Sequence, residues 1–329
     1  MAGYPIPAWR VTLDGQDLTE RFKPRLLELS LDEARGDEAD QLDLVIHDHD
    51  GRMSIPPRGA LLRVAIGWEG QGLVDKGSFR VDETEHSGAP DIISVRARSA
   101  DLAKPMRTRT ERSWHDTTLG AVLQDIAKRH GLKANIDPTL ASRKVAHLDQ
   151  TGESDVHLIT RLSKRHDAVA TVKAGCLLFT PIGSGKTTSG LTLPSVTIRR
   201  QDGDKHRYSI AERDSYTGVR AYWTDKKGAT QKDVLVGSDE NARRLPATYH
   251  SEAEAKEQAE AAHKRTQRGA ATLSYSLALG RPDVYPEQRL RIQGIKPQID
   301  DTEWLIVKTR HQITGTSGFT TSLEMETAI

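Results

Sequence analysis

The sequence predicts a mainly β protein of the α+β class, in which two antiparallel β-barrels flank a small α/β module. Three observations lead to this prediction. Short segments near both ends alternate apolar and polar residues, as antiparallel barrels and sandwiches do. Helical periodicity is confined to the centre and to one helix near the C-terminal end. The 329 residues suffice for two or three domains, each with its own core.

Residues 1–100 are predicted to form the first barrel, from about six strands and no helix. Asp14-Gly15 is a strong hairpin signal. The stretch from Asp32 to Asp40 is acidic and is expected to be a loop. The strands are expected at Trp9–Leu13, Leu27–Leu31, Leu42–Ile46, Leu62–Trp68, Phe79–Val81 and Ile93–Ala97.

Residues 101–182 are predicted to form the α/β module, and residues 183–195 a flexible linker. Asp116 or Thr117 is expected to cap a helix that ends at Gly131. Ser154 or Asp155 is expected to cap a second helix. A hairpin follows between Ala168 and Phe179, with its turn at residues 173–175. The linker is predicted because residues 183–190 are all Gly, Ser, Lys or Thr.

Residues 196–329 are predicted to form the second barrel, with one helix packed on it over residues 251–268. The helix begins with a capping box, Ser251-Glu252-Ala253-Glu254. Alanines recur on one face, which lets a sheet approach closely. Strands are expected around Val219–Trp223, Val234–Leu235, Leu273–Leu279, Leu290–Ile292, Leu305–Ile313 and Phe319–Met325. In the strand of Leu305, Val307 is expected to face the same way as Thr309, His311 and Ile313, with Trp304 and Ile306 on the other face.

Composition indicates a soluble globular chain, with 36% hydrophobic and 28% charged residues. No stretch approaches the roughly 20 apolar residues of a membrane span, so no membrane anchor is expected. The first residues lack the features of a secretory signal, and we expect folding in a reducing cytoplasm. The single cysteine, Cys176, excludes an intrachain disulfide and a cysteine-based metal site. It is expected to be a small buried hydrophobe.

Charge is unevenly distributed although the net charge is +1. Residues 1–50 contain 5 Lys or Arg and 12 Asp or Glu, a balance of −7. Residues 101–175 contain 13 and 9, a balance of +4. The two segments could meet across a subunit boundary, or both could be ordinary solvated surfaces.

The sequence offers no convincing set of catalytic, cofactor-binding or metal-binding residues. Gly185-Lys186-Thr187 is reminiscent of a P-loop, but Thr180 stands at the first glycine position and no helix is expected to follow. His47-Asp48-His49-Asp50 contains metal-ligand types, yet neighbours in a strand point to opposite faces, which favours a solvated strand end. Trp114-His115-Asp116 precedes a helix, and Asp116 is best explained as its cap. His311 is expected in a strand of the second barrel.

Nucleic-acid binding is not favoured either. The basic pairs Arg199-Arg200 and Lys226-Lys227 are short, and only 5% of the residues are aromatic. A nucleic-acid surface usually combines a broad basic face with aromatics for stacking.

Three segments together resemble the phage late control D protein family. The segment from Leu119 to Leu132 resembles the family's first central helix, and the segment from Glu153 to Leu162 resembles the second. The third segment resembles the family's C-terminal block. It consists of the helix at Ser251 together with Pro286, Trp304-Leu305-Ile306-Val307 and His311. The resemblance covers most of the chain, and the order and spacing of the three segments are more specific than any one of them.

The resemblance implies a structural, non-enzymatic baseplate hub of a contractile phage tail or of a phage-tail-like bacteriocin. It implies two tail-tube-like barrels per chain and a homotrimeric ring that adapts the sixfold tail tube to the threefold spike. The implied partners are further copies of this chain, the trimeric tail spike, the tail tube protein, the tape measure protein and other baseplate proteins. The implied location is the tail baseplate of the particle, which is made in the host bacterial cytoplasm.

Two other classes of function compete with the hub. A cell-wall-binding module could hold glycan on the small α/β centre, much as a LysM domain does. It would need exposed aromatics within residues 101–180, where only Trp114 and Phe179 occur. An enzyme, either nucleotide-dependent or a peptidoglycan hydrolase, would show nucleotide-stimulated or lytic activity in the purified protein.

Overall fold

Strands dominate the computed structural model, which describes residues 4–36, 39–99, 104–173, 175–186, 191–210, 216–225, 228 and 230–329. The strands are β1 Pro7–Leu13, β2 Gln16–Asp17, β3 Leu26–Ala34, β4 Gln41–His47, β5 Leu61–Trp68, β6 Gly72–Ser87, β7 Ile92–Ser99, β8 Arg109–Thr118, β9 Lys133–Ile136, β10 Lys144–Ser154, β11 Ala168–Lys173, β12 Cys176–Pro181, β13 Val196–Arg199, β14 Gly203–Ile210, β15 Gly218–Asp225, β16 Thr230–Gly237, β17 Ala242–Tyr249, β18 Ala271–Leu277, β19 Arg289–Gln293, β20 Glu303–Thr314 and β21 Gly318–Thr327. The α-helices are α1 Thr19–Phe22, α2 Leu119–Arg129, α3 Pro138–Ala141, α4 Asp155–His166, α5 Glu252–Arg268 and α6 Pro297–Asp300. Within these described ranges, no helix combines the length and the apolar character that a membrane crossing requires.

One 13-stranded sheet joins the two ends of the chain. Its main path runs in the order β14-β18-β21-β20-β3-β4-β7-β6-β5-β1-β2, and β13 and β19 branch from β20. The two halves meet where β20 pairs antiparallel with β3. The other described strands form a β8–β10 ribbon, a three-stranded β11-β12-β9 sheet and a three-stranded β16-β15-β17 sheet.

Two apolar cores lie along the large sheet. The first consists mainly of side chains from residues 11–97, and β20 and β21 complete it with Ile313 and Phe319. The second consists of residues 196–325, and its largest buried side chain is Trp304. Strands β20 and β21 therefore contribute to both cores.

The expectation of two barrels is not confirmed at this level. Hydrogen bonding joins the strands of both halves in a single sheet, and no closed barrel is found among the strands that the structure describes. The mainly β, α+β character is confirmed. Alternation within each half could not indicate this joining, because the β3–β20 pairing connects residues such as Ala34 and Lys308, which are far apart in sequence.

Strand β20 contains a bulge at Val307, where β20 advances two residues while β21 advances one. The extra residue reverses the alternation of faces along the strand. Ile306, before the bulge, is therefore buried on the same face as Thr309 and Ile313, after it. The sequence-based prediction put Ile306 on the opposite face, and it is wrong because simple alternation does not allow for an added residue.

The first hundred residues follow the predicted strands closely. Asp14 and Gly15 have positive φ angles of 46° and 87° at the tight turn between β1 and β2, as that hairpin requires. Two departures stand out. Strand β3 continues to Ala34, so residues 32–34 are in a strand where a loop was expected, and α1 is a single helical turn where no helix was expected. It buries Phe22 against the first core, which explains why the chain turns there.

The central segment holds helices α2 and α4 against the β11-β12-β9 sheet around one apolar cluster. Ser154 caps α4 by accepting a hydrogen bond from the backbone N–H of His157, as predicted. The cap of α2 is Thr118, not Asp116 or Thr117. Asp116 lies inside β8 with a φ of 43°, because the strand continues beyond the expected helix start.

Helix α5 packs on the small β16-β15-β17 sheet and against α4. Ser251 caps it by accepting a hydrogen bond from the N–H of Glu254. Ala255 and Ala259 are fully buried against Val219 and Ala221 of the sheet. The helix was expected to lie on the second barrel. It lies mainly on a separate sheet, because residues 218–249 do not pair with the large one.

Replacing Ala259 with Leu is expected to destabilise the protein by about 1–3 kcal/mol, because the site is closely packed and the added methylenes force side chains out of their rotamers. Ala253→Leu in the same helix is the matched control, since Ala253 is exposed. Urea unfolding followed by circular dichroism measures both variants. Equal stabilities for the two variants would contradict the close approach of helix and sheet.

Candidate functional site at the junction of two cores

A buried polar junction separates the two cores on the shared face of the large sheet. Along β3, Leu29, Leu31 and Glu33 occupy successive positions on this face, and all three are buried. Glu33 stands opposite Thr309 of β20, so a carboxylate lies where the apolar row would otherwise continue. A buried carboxylate is costly unless it is paired and hydrogen bonded.

The partner of Glu33 is Lys76, which a bulge in β6 turns inward. Between Arg63 and Ala65 of β5, the pairing on β6 moves by three residues instead of two. Gly77 has a φ of 96° at this bulge, a conformation that favours glycine. Lys76 Nζ lies 2.7 Å from Glu33 Oε2 and 3.4 Å from the backbone carbonyl oxygen of Val284. The ammonium group therefore links strands of the first half to a loop of the second half.

His311 completes the junction from β20. Its Nδ1 lies 2.9 Å from Thr321 Oγ1, which already accepts the N–H of Arg281. Its Nε2 lies 3.2 Å from Glu33 Oε2 and 3.1 Å from Lys76 Nζ, so the ring contacts both members of the ion pair.

Burial and pairing act in opposite directions on the Glu33 carboxyl. Burial alone would raise its pKa, but the hydrogen bond from His311 and the positive charge of Lys76 outweigh burial and lower the pKa from 4.5 to about 2. Burial lowers the pKa of His311, which keeps the imidazole neutral near pH 7. The junction therefore carries one ion pair with neutral hydrogen-bonding groups around it.

A second ionic cluster ties the central segment to the large sheet. Arg268, the last residue of α5, donates to both carboxylate oxygens of Asp167 at 2.7 and 2.5 Å. Its Nε lies 3.0 Å from Glu326 of β21. Arg35, just after β3, contacts Glu326 at 2.6 Å and also Glu287. Five side chains from both halves and from the end of α4 thus meet in one buried cluster.

The two long helices of the central and C-terminal segments are also joined by ion pairs. Arg165 of α4 lies 2.5 Å from Glu254 of α5, and His166 Nδ1 lies 2.9 Å from Glu257. Arg143 contacts Glu257 as well. Several contacts of this kind fix the position of α4 on α5 better than one exposed pair could.

The junction and the ionic clusters connect the two halves of the large sheet and the central segment to one another. Both charged groups of the junction, Lys76 and Glu33, are buried and pair with each other. A groove of about 700 Å³ beside Lys76 is lined by charged groups of both signs, including Arg63, Asp75 and Lys173.

The P-loop alternative finds no support in the described part of the loop. Lys186 forms an antiparallel bridge with Thr192, and the N–H of Gly183 donates to Glu287 at 2.8 Å. A phosphate site would not place a carboxylate on that N–H. Residues 187–190 lie outside the described residues, and the linker over 183–195 stays a prediction.

His47 and His49 approach each other, with Nδ1 atoms 3.2 Å apart. The neighbouring carboxylates are engaged elsewhere. Asp50 forms two hydrogen bonds of 2.7 Å to Arg25, and buried Asp48 accepts the N–H of Met53. Among the described residues, no three or more His, Cys, Asp or Glu side chains are grouped so that they could hold a metal ion.

The other residues singled out from the sequence are dispersed. Cys176 is a free cysteine at the start of β12 and is only partly buried, whereas full burial was expected. Phe179 is fully buried, and Trp114 is half-buried with its indole N–H donating to Asp125. Neither ring offers the exposed platform that glycan binding would need. Arg199 and Arg200 lie at the end of β13, and Lys226 and Lys227 fall outside the described residues.

From the sequence, His311 was expected only as a strand residue without a functional role, and Glu33 and Lys76 were not singled out. The available signal was the position of Glu33 at the end of an apolar alternation, where a charge is unexpected. Lys76 gave no signal, because its inward direction depends on the bulge.

Comparisons with known proteins agree with one another. A family model described as phage tail baseplate hub (GPD) matches residues 42–317. A probable baseplate hub protein of Escherichia phage 186 is 42% identical, over 97% of this chain and 92% of the relative. A probable baseplate hub protein of Escherichia phage P2 is 41% identical, over 97% and 93%. The crystal structure of a 43 kDa tail protein of prophage MuSo2 from Shewanella oneidensis has a similar fold, with a TM-score of 0.71, 14% identity and coverage of 97% and 98%.

Glu33→Gln is expected to lower stability by about 3–5 kcal/mol at neutral pH, because it leaves the Lys76 ammonium buried without its carboxylate. The folded pKa of Glu33 lies below its ordinary value. Its contribution is therefore fully present above about pH 4.5 and is lost as the pH falls toward 2. Urea unfolding across this pH range measures the effect. The variant should lose less stability than the wild type between these limits.

The control is Glu324→Gln, at an exposed position of β21. This control should follow the wild-type pH dependence. If Glu33→Gln and Glu324→Gln gave the same pH profile, the junction would not contain the ion pair described.

Arg268→Met is expected to cost about 3–5 kcal/mol, because Asp167 and Glu326 lose their shared partner in a buried place. Lys264→Met is the control, since Lys264 is an exposed cation of the same helix. Hydrogen exchange should show faster exchange in α4 and β11 for Arg268→Met than for the control. Unchanged exchange in those two elements would contradict the coupling of the central segment through this cluster.

Proposed function

We propose that this chain acts as a homotrimeric adaptor ring in a phage tail baseplate. The proposal starts from its family: the chain belongs to the phage tail baseplate hub (GPD) family, and it is a structural component of the baseplate and not an enzyme. In this proposal the ring connects a sixfold tail tube to a threefold central spike. Membership of this family implies that the chain assembles with other tail components.

The observation that carries the proposal is the pair of apolar cores along one sheet. Three copies of a chain with two such cores would place six strand-rich units around an axis. A ring of three chains closes by head-to-tail contacts, in which one end of a chain meets the other end of the next. The same ring then offers six similar units on one side and threefold symmetry on the other.

The domain division that suits this role is a first strand-rich unit at 1–100, an insert at 101–182, a linker at 183–195 and a second strand-rich unit at 196–329. Ile313 and Phe319 cross this division, because they complete the first core. Coupling through β3 and β20 would keep the two units at a fixed angle. A ring that mimics six equal units needs that angle to be constant.

The proposed partners are the tail tube protein, the trimeric spike, the tape measure protein and other baseplate proteins. The charge imbalance of the sequence does not help to locate their contacts. Asp40, from the acidic segment, pairs with Lys173, from the basic one, inside a single chain at 3.6 Å. Asp32 and Asp43 also contact basic groups of the same chain.

Cryo-electron microscopy of assembled tails is expected to show three copies of this chain per baseplate. The two strand-rich units of each chain should occupy six positions related by rotations of about 60°, as a closed ring of three two-unit chains requires. Native mass spectrometry of the chain with its spike provides an independent copy number. Six copies per baseplate, or units that do not alternate around the axis, would contradict the proposal.

A further inference from the structure

Two histidines face each other across the exposed β8–β10 ribbon. His115 and His147 are direct partners in the antiparallel register, and their Nδ1 atoms are 3.0 Å apart. Both side chains are exposed. Direct cross-strand partners have Cβ atoms about 4.5–5.5 Å apart, so both imidazoles can reach one bound atom.

Asp149 orients one of these rings. Its Oδ2 lies 2.7 Å from His147 Nε2, so Nε2 carries the ring proton and donates it to the carboxylate. The Ser113 hydroxyl donates to the other carboxylate oxygen at 2.6 Å and holds Asp149 in place. His147 Nδ1 therefore carries a lone pair, which points toward His115 Nδ1. Metal-binding histidines commonly have such a carboxylate behind the ring.

We propose that His115 and His147 chelate a divalent transition-metal ion, with Asp149 as a positioning residue. Both nitrogens can reach one ion at about 2.05 Å once the exposed rings turn away from their mutual hydrogen bond. Imidazole nitrogens suit Ni²⁺, Cu²⁺ and Zn²⁺, and water would occupy the remaining positions.

Metal binding requires a lone pair on Nδ1 of both rings. In a hydrogen-bonded pair without metal, His115 Nδ1 donates its proton to His147 Nδ1. When an ion binds, the neutral His115 ring instead carries its proton on Nε2. His147 needs no such change, because Asp149 already fixes its tautomer.

The pair at His47 and His49 provides an internal comparison. Its Nδ1 atoms are a similar 3.2 Å apart, yet neither ring is hydrogen bonded to a carboxylate in the described part of the chain. The ribbon pair should therefore bind metal more tightly. A metal link between β8 and β10 would also stabilise a two-stranded ribbon, an arrangement that has little stability of its own.

Isothermal titration of the tag-free full chain with NiCl₂ at neutral pH tests the proposal. The background is His47→Gln with His49→Gln, so that only the ribbon pair remains. One Ni²⁺ per chain is expected, with affinity at least about tenfold lower in His115→Gln and in His147→Gln. His157→Gln, on the exposed face of α4, is the control and should bind as the background does. No binding in the background, or equal binding in all variants, would overturn the proposal.

The role of Asp149 needs a separate readout. Asp149→Asn should lower the Ni²⁺ affinity about 10–100-fold and leave the melting temperature of the metal-free chain unchanged. Asp149→Glu should recover part of the affinity. Electron paramagnetic resonance of bound Cu²⁺ should show two coordinating imidazole nitrogens in the background chain. One nitrogen, or an Asp149→Asn affinity equal to that of the background, would contradict the arrangement.

Discussion

The Lys76–Glu33 ion pair is the constraint around which the large sheet is arranged. A row of apolar side chains runs along one face of β3, β20 and β21, and a continuous row would merge the two cores into one. Glu33, His311 and Thr321 interrupt it with groups that must be hydrogen bonded when buried. Lys76 satisfies Glu33 only because β6 bulges at Gly77, so the strand geometry and the ion pair depend on each other.

Such a junction restricts the relative positions of the two halves more than apolar packing alone. An apolar contact keeps most of its energy after a small shift, whereas a buried ion pair loses its partner and bears the full cost of burial. The Arg268 cluster extends this restriction to the central segment, because Asp167 ends α4 and Glu326 belongs to β21. A buried ion pair adds little net stability, but the Lys76–Glu33 pair and the Arg268 cluster define how the segments of the chain are positioned relative to each other.

Sequence periodicity predicted the strands and helix caps that depend on residues close together in the sequence. The strands of the first hundred residues and the caps at Ser154 and Ser251 agree with the structure, because alternation and capping act within a few residues. The ribbon of β8 and β10 escaped prediction, since polar residues cover much of its surface and its partners are about thirty residues apart. The junction was not predicted, although His311 was correctly placed in a strand. Lys76 points inward, and Ile306 shares a face with Thr309, because of single-residue bulges that no pattern of alternation contains.

The pairing of β3 with β20 has a consequence for synthesis on the ribosome. Ile313 and Phe319 close a core whose other side chains emerge some 200 residues earlier, so the amino-terminal strands leave the exit tunnel long before their last partners exist. During that interval β3 is an unpaired edge with apolar side chains, the kind of surface that aggregates or recruits chaperones. Translation of the final strands, and not the folding of an independent amino-terminal unit, then sets the moment at which the nascent chain becomes competent to assemble.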